Sequence, residues 1–161
     1  MSNKMEWGSG EWDNEPDEFE FIYKEVKCWG YRHSIGIWLA YIDLPLPEGE
    51  VPDNEYSDED DFGDVEFNNI YESIIPTIEV HGGITYSKYV DKYPGPNVLR
   101  IGFDCCHIGD LIPSVYFVVK DQGFNVNCKM CKLWGNPVYR NIEFVKDECK
   151  KIVDQIKKDK E

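Results

Sequence analysis

Only one stretch of the chain carries a sustained helical period, and it comes last. In YRNIEFVKDECKKIVDQIKKDKE, residues 139–161, the apolar side chains Ile142, Val145, Cys149, Ile152 and Ile156 recur at spacings of three and four. That spacing places them on one face of a helix. Asn141 precedes the run as an N-cap, and lysines crowd its end, where the helix dipole favours cations. A helix with one apolar face must bury it, and what precedes it is mainly β-rich runs. The expected class is therefore α+β, an antiparallel β-sheet with a C-terminal α-helix packed on one face.

The runs themselves support this. FEFIYKEVKCWG, residues 19–30, alternates bulky and charged side chains and reads as a strand with one wet face. After the turn at Arg32, His33 and Ser34, IGIWLAYIDLPLP is nearly continuous in apolar residues and stops at Pro45 and Pro47, as a central strand would. NNIYESIIPT reads as a short helix or lead-in that Pro76 ends, and SVYFVVK, residues 114–120, as a further strand. At 161 residues the chain has the size of one domain that can bury a core without disulfides. Residues 1–18 read as a flexible acidic arm and 19–161 as the domain, with an acidic loop at 48–66. Trp7 and Trp12 in the arm either anchor a partner, or a second copy in a homo-oligomer, or fold back on the domain.

Ile78–Asp110 holds the densest chemistry. IEVHGGITYS and VLRIGFDCCHIGD are β-rich runs separated by the turn-forming YPGPN, so antiparallel pairing would bring His81 near Asp104 and His107. Gly82 and Gly83 permit positive φ and close approach, Thr85 adds a hydroxyl, and Asp104, His107 and Asp110 add two charges and a titratable ring. Such a mixture suits a polar, nucleotide-like small molecule, although a bulged hairpin whose polar groups satisfy one another uses the same residues. Neither G-x-x-x-x-G-K-[ST] nor G-x-G-x-x-G is present, so HGG is no phosphate loop, and H-E-x-x-H and G-x-S-x-G are absent too.

Charge narrows the partners. The formal net charge is −14, with 20 acids and 4 bases in residues 1–72 against 11 acids and 13 bases in residues 73–161. Such a surface repels nucleic acid and acidic membranes and can attract a basic protein. Asp58, Glu59, Asp60 and Asp61 form the densest run, which is a solvated loop, a cation-binding loop without the EF-hand spacing, or a mimic of a phosphate backbone. No apolar run is long enough to span a bilayer and the first residues lack a signal-peptide core, so a cytoplasmic location is expected.

Cysteines in that compartment are reduced thiols. Cys128 and Cys131 form a C-x-x-C that Cys105 and His107 could complete as a tetrahedral zinc site, but a second C-x-x-C is missing, and small buried hydrophobes are the alternative use. No cofactor is otherwise implied.

VHGGITYS, IGFDCCHIGD and YRNIEFVKDECKKI together resemble a family of small proteins common in phages and prophages. Its members share HGG-[IL]-T-[FY], G-F-D-C-x-H-x-G-D and a final helix that begins Y-R and carries E-C. LAYIDLP is similar to the earlier G-Y-x-x-V-P strand, and the likeness runs from Cys28 to Ile156. The resemblance implies phage origin and no particular enzymatic activity. The expected function is a phage-encoded binding protein that counters host defence by sequestering a nucleotide-like signal with His81, Gly82, Gly83, Thr85, Asp104, His107 and Asp110. The alternatives are an acidic inhibitor of a host defence protein that mimics nucleic acid, and a metal-dependent hydrolase.

Overall fold

A computed structural model of the chain describes residues 4, 7–46, 74–90, 92, 97–115 and 137–159. The acidic segment 48–66, Cys128, Cys131 and most of the run 114–120 lie outside them, and Ser114 and Val115 are helical rather than extended. Five strands are described: β1 (Glu18–Tyr23), β2 (Val26–Arg32), β3 (Trp38–Pro45), β4 (Tyr86–Val90) and β5 (Val98–Asp104). Every neighbouring pair is antiparallel, in the order β1-β2-β3-β5-β4. The helix α1 (Ile142–Asp159) packs across β2 and β3.

Period-two alternation decides which side chains meet that helix. Cys28 from β2, Trp38, Ala40, Ile42 and Leu44 from β3, and Leu99, Ile101 and Phe103 from β5 are buried in one cluster. Ile142, Val145, Cys149, Ile152, Val153 and Ile156 of α1 belong to the same cluster, so the helix stripe is the face the sequence implies. Each of the five aliphatic side chains on α1 contributes roughly 1.5–3 kcal/mol relative to exposure, before the entropy of ordering is subtracted. Asn141 Oδ1 accepts the Phe144 N–H at 2.9 Å and caps the helix start. β3 is the middle strand, and Asp43 on its far face is buried as well, where Arg100 and Lys92 each donate to it at 2.8 Å. Burial alone would raise the Asp43 carboxyl, but these two cations and the Trp29 indole hold it below the ordinary range.

Local readings change as well. FEFIYKEVKCWG is a hairpin rather than one strand, because Lys24 and Glu25 turn the chain with φ of 48° and 69°. A two-residue hairpin with positive φ at both centres normally signals itself through Asn-Gly, so nothing in Lys-Glu announces it. Contacts from the helix support the turn: Asp154 receives the Tyr23 hydroxyl at 3.1 Å and the Lys24 ammonium at 2.7 Å. Pro76 sits inside the short 3-10 turn Ile75–Thr77, where a missing N–H costs nothing, and residues 68–73 of the expected helix or lead-in lie outside the described residues.

The segment before β1, expected as a flexible arm, packs onto the domain over its described part. Trp7 and Trp12 are each only 3% exposed. Trp12 sits edge-on to Tyr139, with ring centroids 5.2 Å apart, and its indole donates to the Gly8 carbonyl at 3.1 Å. Glu15 ties the segment to both layers: it receives Arg32 Nη2 at 2.9 Å, the Ile142 N–H at 2.6 Å and the Tyr139 hydroxyl. Arg32, whose side chain is fully buried, also donates to Asp17 and to the Gly36 carbonyl, both at 2.9 Å.

Candidate functional site

β4 and β5 pair as the YPGPN turn suggests, with Tyr86 opposite Gly102, and this places the segment before β4 beside the segment after β5. The first does not extend into a strand at His81. Val80 and Gly83 close a turn, with the Gly83 N–H donating to the Val80 carbonyl at 2.9 Å and φ of 72° at Gly82 and 80° at Gly83. Two consecutive positive φ values explain the glycine pair.

After β5 the chain turns twice. Asp104 accepts the Cys106 N–H at 2.9 Å and the Thr85 hydroxyl at 3.2 Å. His107 and Asp110 close the second turn: the Asp110 N–H donates to the His107 carbonyl at 2.9 Å, and the His107 N–H donates to the Asp110 carboxylate at 3.0 Å. Gly109, at φ 93°, makes that turn possible. A single parallel bridge then pairs Asp110 with Val138 and carries the start of α1 past the same point.

Asp110 is where these pieces meet. Its side chain is 0% exposed, and His81 Nε2 approaches its two oxygens at 2.8 and 2.9 Å. Arg140 Nε donates to it at 2.9 Å. Burial by itself would raise the Asp110 carboxyl, but Arg140, His81 and the His107 N–H outweigh it and hold the group below the usual carboxylate range. An ionised Asp110 only accepts, so the His81 Nε2 that faces it is the donor. The ring is held further by Phe144 and His107, edge-on at centroid distances of 5.3 and 5.6 Å, while Glu148 accepts the His81 N–H at 3.3 Å.

His107 covers Gly82. A Cβ on Gly82 would lie 2.0 Å from His107 Nε2, whereas one on Gly83 would meet nothing within 4 Å. The close approach expected at the glycine pair is thus made by the chain's own imidazole at Gly82, and only Gly83 leaves open space. His107 Nε2 lies 3.2 Å from Asp104 Oδ1 without hydrogen-bond alignment, a contact that becomes an ion pair only if the ring is protonated.

All seven residues expected at the site therefore fall in one cluster, linked through Thr85–Asp104 at one end and His81–Asp110 at the other. Sequence reasoning missed Arg140, just before α1, and Phe144 and Glu148 from its first two turns. The signal was present in the final motif: its Y-R and E-C are Tyr139-Arg140 and Glu148-Cys149.

Cys105 points elsewhere. It is buried in the main core cluster, and burial first, then the nearby carboxylates, push its thiol well up. Cys128 and Cys131 lie outside the described residues, and among the described residues no group of three or more His, Cys, Asp or Glu is arranged to hold a metal ion. No helix among them is long and apolar enough to cross a membrane.

The fold and the cluster define an α+β protein whose two glycine-containing turns and helix start converge on one buried carboxylate. Comparison with known proteins finds no matching family model, no matching curated protein and no matching solved structure.

Proposed function

We propose that this chain is a phage-encoded binding protein that counters host defence by sequestering a small nucleotide-like signal at the His81–Asp110 cluster. The observation that carries the proposal is the convergence of two separated segments on Asp110, with His81 at 2.8 Å, while a Cβ at Gly83 would meet open space and both imidazole side chains stay partly exposed. Fixed, partly exposed polar groups beside an open backbone turn suit recognition of a polar molecule, because little entropy is lost in ordering them when it binds. The resemblance of the same segments to a phage family supports the biological setting.

Isothermal titration of the purified chain with a panel of mono-, di- and cyclic nucleotides tests the proposal. Saturable heat with at least one of them, and recovery of that nucleotide unchanged, is the expected result. Flat titrations across the panel would refute it. One feature favours a second function: an imidazole oriented by a buried carboxylate is the pairing a general base uses. A product formed during the same incubation would favour hydrolysis over sequestration.

A further inference from the structure

Hydrogen-bond valences in the cluster are spent unevenly. Its carboxylates are satisfied from within the chain. Asp110 accepts from His81, Arg140 and the His107 N–H. Asp104 accepts from Thr85 and the Cys106 N–H. Glu148 accepts the His81 N–H and lies 3.7 Å from Lys151 Nζ.

The donors are not used up. Arg140 spends Nε on Asp110, and its Nη1 and Nη2 make no hydrogen bond among the described residues. Neither atom is buried without a partner, and the side chain is 26% exposed, so the two amino groups reach solvent. They are also held in place. Asp110 fixes one edge of the guanidinium and the Phe144 ring supports its face, with 5.0 Å from Cζ to the ring centroid. An arginine whose rotamer is already fixed, and whose outer edge is a planar pair of donors, is prepared for two oxygens of one anion.

His81 stands on the same carboxylate as Arg140, with its side chain 16% exposed. A phosphate monoester, whose second ionisation falls near pH 6, carries close to two negative charges at pH 7 and offers the fork three acceptor oxygens. We propose that Arg140 contacts the ligand directly, presenting Nη1 and Nη2 to a phosphate group. This rests on the binding function proposed above and adds the chemical class of the ligand. With a formal charge of −14 on the chain, the field at long range opposes an anion, so recognition must come from the geometry of the fork rather than from charge alone.

The test is a titration of the full ¹⁵N-labelled chain, followed at the Arg140 side chain and at the Gly82 and Gly83 amides, with inorganic phosphate, acetate, AMP and adenosine as probes. Saturable shifts at Arg140 with phosphate and AMP, and weaker ones with acetate and adenosine, are expected. Arg140→Lys keeps the charge and loses the fork, and should weaken AMP binding about tenfold to a hundredfold.

If adenosine moves Gly82 and Gly83 as strongly as AMP does while Arg140 stays still, the binding function survives and the phosphate contact is overturned. Acetate equal to phosphate would overturn the choice of phosphate. No saturable shift with any probe would overturn the phosphate contact, and the wider nucleotide panel would then decide the binding function separately. Should Arg140→Lys fail to fold, the wild-type titration decides alone.

Discussion

Replacing Asp110 by Asn tests how firmly the cluster is built. The two side chains have nearly the same shape, so the substitution removes charge and one acceptor while leaving volume unchanged. The wild-type carboxylate takes a guanidinium Nε at 2.9 Å, an imidazole Nε2 at 2.8 Å and a backbone N–H at 3.0 Å, from a side chain that is 0% exposed. Asn keeps one acceptor and turns its amide N–H₂ toward a donor. A hydrogen bond to a charged partner is worth about 1.5–3 kcal/mol, and Arg140 and His81 can recover part of their loss from water because they are 26% and 16% exposed. The net cost at pH 7 is therefore about 2–4 kcal/mol.

Its dependence on pH follows from the sign of the shift. The Asp110 carboxyl is held below its unfolded value, so its contribution is complete above about pH 4 and disappears as pH falls through the folded value. Urea denaturation of both proteins should show a lower midpoint for Asp110→Asn at pH 7, with unchanged slope, and a gap that narrows as pH drops below 4. A gap under about 0.5 kcal/mol at pH 7, or one that widens on acidification, would refute the central role of this carboxylate.

Other expectations concern single elements. Gly82→Ala places a methyl against His107 at positive φ and Gly83→Ala meets only the backbone cost, so calorimetry should show the larger fall in melting temperature for Gly82→Ala. Changing Lys24 and Glu25 together to Asn and Gly should stabilise the protein by about 1 kcal/mol despite losing the partly exposed Lys24–Asp154 pair, read as a higher denaturation midpoint. Trp12→Ala should cost about 3–5 kcal/mol in the same denaturation assay, and a cost near zero would refute the packing of the N-terminal segment.

Which features were legible depends on the range of the interactions that create them. The stripe on α1 and the middle position of β3 follow from local period and continuity of apolar residues, and both could be read directly. That the segment of His81 lies beside the segment of Asp104 and His107 also followed, because a turn signal between two β-rich runs implies antiparallel pairing. The hairpin at Lys24 and Glu25 was hidden, since its strain is offset by Asp154 far along the chain. Trp7 and Trp12 sit in polar sequence that does not announce their burial, and the Tyr139 ring that meets Trp12 edge-on comes from far along the chain. Arg140 reaches Asp110 through one isolated parallel bridge at Val138, which has no turn chemistry to announce it. The motif held Arg140 and Glu148, but their place in the helix period gave no reason to look inward from them.

Native mass spectrometry of the intact chain, mixed with an extract of cellular nucleotides, tests sequestration most directly. Wild-type protein is expected to carry one additional nucleotide-sized mass per chain, released unchanged on denaturation, and Asp110→Asn to carry it in a smaller fraction of molecules. A wild-type spectrum of bare protein alone, at nucleotide concentrations well above those of the chain, would contradict the account.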